Sequence, residues 1–124
     1  MAHLFVIAGI VGTMLFFTVA VAPFIFRVLP AQWAAVYVRS FFPRYYASLG
    51  MVSLVAAWLA PAGPARTVAI VVAAGFAVSL FALTPAINRA SDAKDRVRFH
   101  WLHGASVVVN LAQVAALLWV LWGV

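Results

Sequence analysis

From Met1 to Arg27 the chain carries one ionisable side chain, His3, and three more stretches of similar character follow. At 1.5 Å per residue a stretch this long crosses the roughly 30 Å hydrocarbon core of a bilayer with some tilt. The second runs between Arg44 and Arg66, and Pro61, Gly63 and Pro64 stop it early, so its helix is expected over 43–60 with Pro43 in the first turn. The third lies between Arg66 and Arg89; the fourth follows a charged run and closes the sequence. The expected fold is all-α: a polytopic four-helix transmembrane bundle, one domain over 1–124, with spans at about 3–27, 43–60, 66–87 and 99–122.

Composition narrows the function classes. Of 124 residues, 68% are hydrophobic and 8% charged, and a water-soluble domain this small could not cover its surface with so few charges. Cysteine is absent, which excludes disulfides, thiolate metal sites, cysteine nucleophiles and ordinary iron–sulfur ligation. The net charge of +6 invites a nucleic-acid reading, but basic residues beside apolar spans are more simply topology signals, so no nucleic acid is expected as a partner. The segment after Met1 has no basic n-region and outruns a signal peptide, so it is expected to be a retained span.

The basic residues are unevenly shared. Arg27, Arg39 and Arg44 fall in the first connection, Arg89, Lys94, Arg96 and Arg98 in the third, and Arg66 alone in the second. Short loops rich in Lys and Arg stay in the cytoplasm, so connections one and three are expected on the inner side of a bacterial inner membrane, with both termini and the turn at 61–64 on the periplasmic side. Trp33, Tyr37, Arg39, Phe41 and Phe42 read either as a short interfacial helix on the cytoplasmic leaflet or as an irregular aromatic-belt loop. The two halves also resemble each other. Gly12, Phe16, Pro23 and Arg27 echo Gly75, Phe81, Pro85 and Arg89, and Arg44-Tyr45-Tyr46 before Gly50 echoes Arg98-Phe99-His100 before Gly104.

A polar side chain is expensive in hydrocarbon and faces protein or a water-filled cavity. In helix four His100, His103, Ser106, Asn110 and Gln113 step by three or four, gathering within an arc of roughly 140° that is expected to face the other helices. Two roles fit: interhelical hydrogen bonding, the commoner fate, or a ligand, proton or ion cavity open to the cytoplasm with His103 as the group that changes charge near neutral pH. Tyr45 and Tyr46 start helix two at that depth, where the aromatic belt is the default place and a hydroxyl reaching the cavity the alternative. Pro23 and Pro85 free the carbonyls of Val19 and Phe81 and are expected to kink their helices. Gly9, Gly12, Thr13, Ser48, Gly50 and Ser53 are expected where helices approach closely.

Metal and haem chemistry finds few ligands. His3 lies at the opposite end of the membrane from His103, His100 and His103 share one helix, and no carboxylate lies within a span. Neither a bis-histidine haem, a hard-metal site nor a hydrolytic triad is expected. Asp92 and Asp95 are expected to pair with Lys94, Arg96 or Arg98 in their own loop. No cofactor and no metal are predicted; the alternative is a haem held by His103 alone, with Arg27 or Arg98 near its propionates.

Gly12 with Phe16, Val21-Ala22-Pro23 with Phe26, Phe42-Pro43 with Tyr45 and Tyr46, Pro85 with Asn88, and above all Phe99-x-x-Leu102-His103-Gly104-x-Ser106-Val107-x-x-Asn110 make a combination that resembles the transmembrane protein 205-like family of small four-span proteins. The likeness covers nearly the whole chain. It implies a four-helix membrane fold with His103 and Asn110 as family-typical residues, and distant kinship with copper-resistance D and protoporphyrinogen-oxidising four-helix membrane proteins. It assigns no activity, although the association of an animal member with drug resistance and export suggests a small-molecule or cation exporter as one alternative. With a single polar ridge as intramembrane machinery, the residues favour a non-enzymatic accessory or interaction subunit, homodimeric or part of a larger complex. A haem- or porphyrin-associated redox protein using His103 is the other alternative.

Overall fold

The computed structural model describes residues 1–123, which form four helices: α1 (Ala2–Val28), α2 (Ala31–Leu59), α3 (Pro64–Asp92) and α4 (Arg96–Trp122). α1, α3 and α4 are each long and apolar enough to cross a membrane. α2 matches them in length, but Arg39 and Arg44 make its first half more polar. α1 packs against α2 and α4, and α3 packs against the same two, so the helices close in cyclic order.

The largest departure from the sequence expectation lies in the first connection. Residues 31–42 are neither a separate interfacial helix nor an irregular loop; they are the first three turns of α2, and Pro43 sits inside that helix rather than in its first turn. The physical reason is lateral packing. Phe17 of α1 stacks on Phe41 at 4.9 Å between ring centroids, meets Phe42 edge-on at 5.5 Å and lies 4.9 Å from Tyr45, while Ala34 is buried about two turns before Phe41. Aromatic pairs of this kind each contribute about 0.5–1.5 kcal/mol beyond simple burial, enough to hold the extra turns against α1.

The two expected kinks take the form of π-turns. Residues Phe17–Val21 and Ser79–Leu83 hydrogen-bond with the wider period, the amide of Ala22 reaching the Phe17 carbonyl and that of Thr84 reaching Ser79. Each π-segment ends two residues before a proline, Pro23 or Pro85, whose missing N–H is accommodated by the local change of register. The matched placement of the two π-segments is a structural counterpart of the half-to-half resemblance in the sequence. Val19 and Phe81, whose carbonyls the prolines leave free, are both exposed on the outer surface.

The connections are short and chemically closed. Arg66, the single basic residue of the second connection, donates from Nε and Nη2 to the Ala60 carbonyl at 3.0 and 2.6 Å and from Nε to Ala57 at 3.2 Å. It thus satisfies the orphan carbonyls at the end of α2 and places a positive charge at the negative end of that helix. Gly63 turns the chain at φ 146°, a conformation that L side chains rarely adopt. α3 ends in a Schellman turn: the amides of Lys94 and Asp95 bond to Ser91 and Ala90 at 3.1 and 3.0 Å, with Lys94 left-handed at φ 56°.

Asp95 then caps α4 by accepting from the Arg98 amide at 3.1 Å. Asp92 reaches across to α2 instead, where Arg39 donates to both of its oxygens at 2.6 and 3.3 Å. The expected pairings of the two aspartates with Lys94, Arg96 or Arg98 side chains therefore give way to a helix cap and an interhelical ion pair.

Large apolar side chains lie outside the bundle as well as inside it. Ile7, Ile10, Met14, Val72, Phe76 and Leu117 fill the centre, but Ser53, Ser79, Ser106 and Gln113 are buried with them. Phe5, Phe24, Trp58, Phe81, Trp101 and Trp122 stand outside. Water would not tolerate that surface, whereas lipid does.

Candidate functional site

The buried polar side chains converge on one seam where α2, α3 and α4 meet. Gln113 donates from Nε2 to the Val72 carbonyl at 2.9 Å, and Gly75 makes room for it: a Cβ there would lie 2.6 Å from Nε2 and 3.2 Å from Cδ. Tyr46 and Ser106 join their hydroxyls at 3.5 Å across α2 and α4, and the Tyr46 ring lies 6.3 Å from Phe76. Because α3 and α4 run in opposite directions, moving from Gln113 toward Ser106 moves along α3 from Val72 toward Ser79, about 10 Å on each helix. Ser79, the first residue of the second π-segment, therefore stands at the depth of Tyr46 and Ser106.

Three atoms of this seam are buried without a hydrogen-bond partner: Ser79 Oγ, Asn110 Oδ1 and Gln113 Oε1. Such atoms carry a desolvation cost of about 1–3 kcal/mol each when nothing replaces the lost water. Two are carbonyl-type acceptors and the third a hydroxyl, so the seam can accept hydrogen bonds from a small donor. Its own chemistry is that of amides and hydroxyls.

The structure divides the ridge expected on α4. Ser106 and Gln113 are buried and Asn110 is half-buried, whereas His100 and His103 are exposed. His103 lies flat on Phe99 of the same helix, ring centroids 5.8 Å apart and planes within 2°. An arc of that width is too broad for one contact line: its Gln113 and Ser106 edge is buried, and its His100 and His103 edge projects past the neighbouring helices. Tyr45 and Tyr46 both belong to the core rather than to an aromatic belt. Gly9, Gly12 and Gly104 have no neighbour within 4 Å of a Cβ position, so the close approach expected at the first two does not occur there; Gly50 does meet Phe76, at 3.4 Å. Ser53 is buried and bonds back to Leu49 at 2.7 Å, and Ser48 is exposed.

Sequence reasoning missed Ser79 and Gly75. A lone serine inside the third apolar span was a usable signal under the same rule that drew attention to α4. Gly75 gave no such signal, because its requirement is set by the rotamer of a residue on another helix.

His103 is exposed beside Gly104, whose Cβ position has no neighbour within 4 Å among the described residues. Among the described residues no group of three or more His, Asp or Glu side chains comes together as a metal site. His3 sits at the other end of the molecule, nine-tenths buried, in a cleft of about 380 Å³ that it shares with Leu4, Pro64, Trp119 and Trp122.

The charged end gathers Arg27, Arg39, Arg44, Arg89, Lys94, Arg96 and Arg98, and the Arg39–Asp92 pair shows that the first and third connections lie side by side. Hydrogen bonding to Arg39 holds the Asp92 carboxyl below the ordinary carboxylate range. Arg44 donates to the Ser40 carbonyl at 2.8 Å, and Arg39 also reaches Asn88 O at 3.4 Å. Arg27 and Arg98 are exposed, on α1 and α4 respectively, with no side-chain partner among the described residues.

No curated protein and no solved structure matches the chain. A family model does, and it ends at the start of α4, so His103, Ser106, Asn110 and Gln113 lie beyond the matched residues. Residues 5–96 match the domain of unknown function DUF4149, well over half of the chain, and the protein therefore belongs to that family.

Proposed function

We propose that this protein is a four-span integral protein of a bacterial inner membrane, with its two basic connections in the cytoplasm, acting as a non-enzymatic interaction subunit that docks a further transmembrane helix on α4. The observation that carries the reading is the outward face of α4, where His100 and His103 stand exposed beside a glycine, Gly104, with nothing within 4 Å of its Cβ position. An imidazole facing lipid is costly, and a bare glycine lets a second backbone come close enough to cover it. The orientation follows from the seven basic residues that share one end of the molecule.

Native mass spectrometry after extraction in a gentle detergent tests the docking. A second copy or a companion protein is expected to travel with the wild type and to be lost from Gly104→Ile. A wild type that is monomeric and alone refutes the reading. Orientation is tested separately with single cysteines in this cysteine-free chain. Ala62→Cys is expected to react with an impermeant thiol reagent applied from the periplasmic side and Lys94→Cys to be protected; the opposite pattern refutes the assigned topology.

A further inference from the structure

A groove of about 430 Å³ runs along the outside of α1 beside its π-segment. Phe16, Ala20, Phe24 and Val28 line it from α1 at four-residue spacing, together with Ile25, and Tyr37 of α2 lines it from the neighbouring helix. Tyr37 is held there by stacking on Phe41 at 5.6 Å, which in turn stacks on Phe17. The groove falls within the size range of small-molecule sites, and its volume is far below that of a helix about 10–12 Å across that spans a membrane.

Arg27 lies next to the lining residue Val28, at the basic end of this groove. It follows Phe24 by three residues and precedes Val28 by one, so it leaves α1 on the same side as the groove lining. Its guanidinium is exposed and has no hydrogen bond or ion pair among the described residues, unlike Arg39, which is committed to Asp92, and Arg44, which is bonded to Ser40. An apolar groove of this volume with an unneutralised cation beside its basic end complements a molecule with a long hydrocarbon tail and a negative head.

We propose that this groove selectively binds one anionic phospholipid, an acyl chain lying against Phe16, Ala20, Phe24 and Val28 and the phosphate held by Arg27. The inference rests on the membrane reading of α1 but not on the orientation of the chain or on the docking face of α4, which lies on a different helix.

The test is lipid retention by the detergent-solubilised full chain, read by native mass spectrometry after titration with phosphatidylglycerol or with phosphatidylcholine of the same acyl chains. Phosphatidylglycerol is expected to be retained about fivefold more strongly, the ratio that one basic side chain facing an anionic headgroup supplies. Arg27→Gln is expected to abolish the preference and Arg27→Lys to keep it. Arg89→Gln, which removes the matching arginine after Pro85 on α3, is expected to leave it unchanged. Ala20→Phe, which fills the slot and spares the charge, is expected to lower retention of both lipids, with unchanged helical circular dichroism certifying the fold. Equal retention of the two lipids overturns the proposal. So does an Arg89→Gln effect as large as that of Arg27→Gln, which indicates a diffuse surface potential, or undiminished retention by Ala20→Phe, which indicates that the slot is not occupied.

Discussion

Replacing Gly75 with alanine drives a methyl group to within 2.6 Å of Gln113 Nε2 and 3.2 Å of its Cδ. The carboxamide is at the end of a flexible side chain, so it moves rather than the backbone, and the 2.9 Å bond to the Val72 carbonyl breaks. A hydrogen bond between membrane helices is worth about 0.6 kcal/mol on average and up to about 1.7. Leaving the displaced amide buried without a partner adds about 1–3 kcal/mol, while alanine recovers at most about 1 kcal/mol of helix propensity. The net expectation for Gly75→Ala is a loss of about 1–4 kcal/mol.

With Gln113→Ala already in place there is nothing to displace, so the same change is expected to be neutral or to stabilise by up to about 1 kcal/mol. Reversible unfolding in mixed micelles, followed by circular dichroism for the four members of the double-mutant cycle, measures the difference. A coupling energy below about 0.5 kcal/mol means the two residues act independently, and the account of the seam is then wrong.

Ser79 carries a buried hydroxyl without a partner, so Ser79→Ala is expected to be neutral or stabilising in the same assay, by up to about 1 kcal/mol; a comparable loss shows that the hydroxyl is bonded after all. Lys94→Gly relieves a left-handed residue at the end of α3 and is expected to raise stability by about 0.5–1 kcal/mol, with a lowered melting temperature as the contrary result. For Asp92, whose folded-state pKa is depressed chiefly by its hydrogen bond from Arg39, the pairing contributes fully above the unfolded carboxylate value of about 3.9 and is lost as the pH falls through the lower folded value. The gap in melting temperature between wild type and Asp92→Asn is therefore expected at pH 7, shrinks in high salt because the pair is exposed, and closes in strong acid; a gap independent of pH refutes the pairing.

The legible part of this protein was its helices. Apolar runs bounded by arginines marked α1, α3 and α4 to within a few residues, because a helix that must satisfy its own backbone in lipid leaves a long uncharged footprint. Pro23 and Pro85 likewise announced irregular turns, although the π-register they produce depends on neighbours that no local rule names. The start of α2 was not legible in the same way. Trp33 to Phe42 mixes four aromatic residues with Arg39 and Ser40, and its helical state is supported by Phe17, which is far away in sequence.

The candidate site was half legible: a step of three or four grouped Ser106, Asn110 and Gln113, which are buried or half-buried, with His100 and His103, which are exposed. Periodicity reports that residues share a side of one helix; how wide a sector the neighbours cover is a property of the packing.

What the amino-acid sequence determined by itself is the helical class, the apolar exterior and the gathering of basic residues at one end, because each follows from composition along a single segment. What only the tertiary structure decided is which polar groups are inside. Gln113 reaches Val72 because Gly75 is bare, Arg39 takes Asp92 away from its own loop, and His103 is left outside. Those outcomes depend on distances between helices, and a helix encodes the spacing along its own axis, not the position of its neighbour.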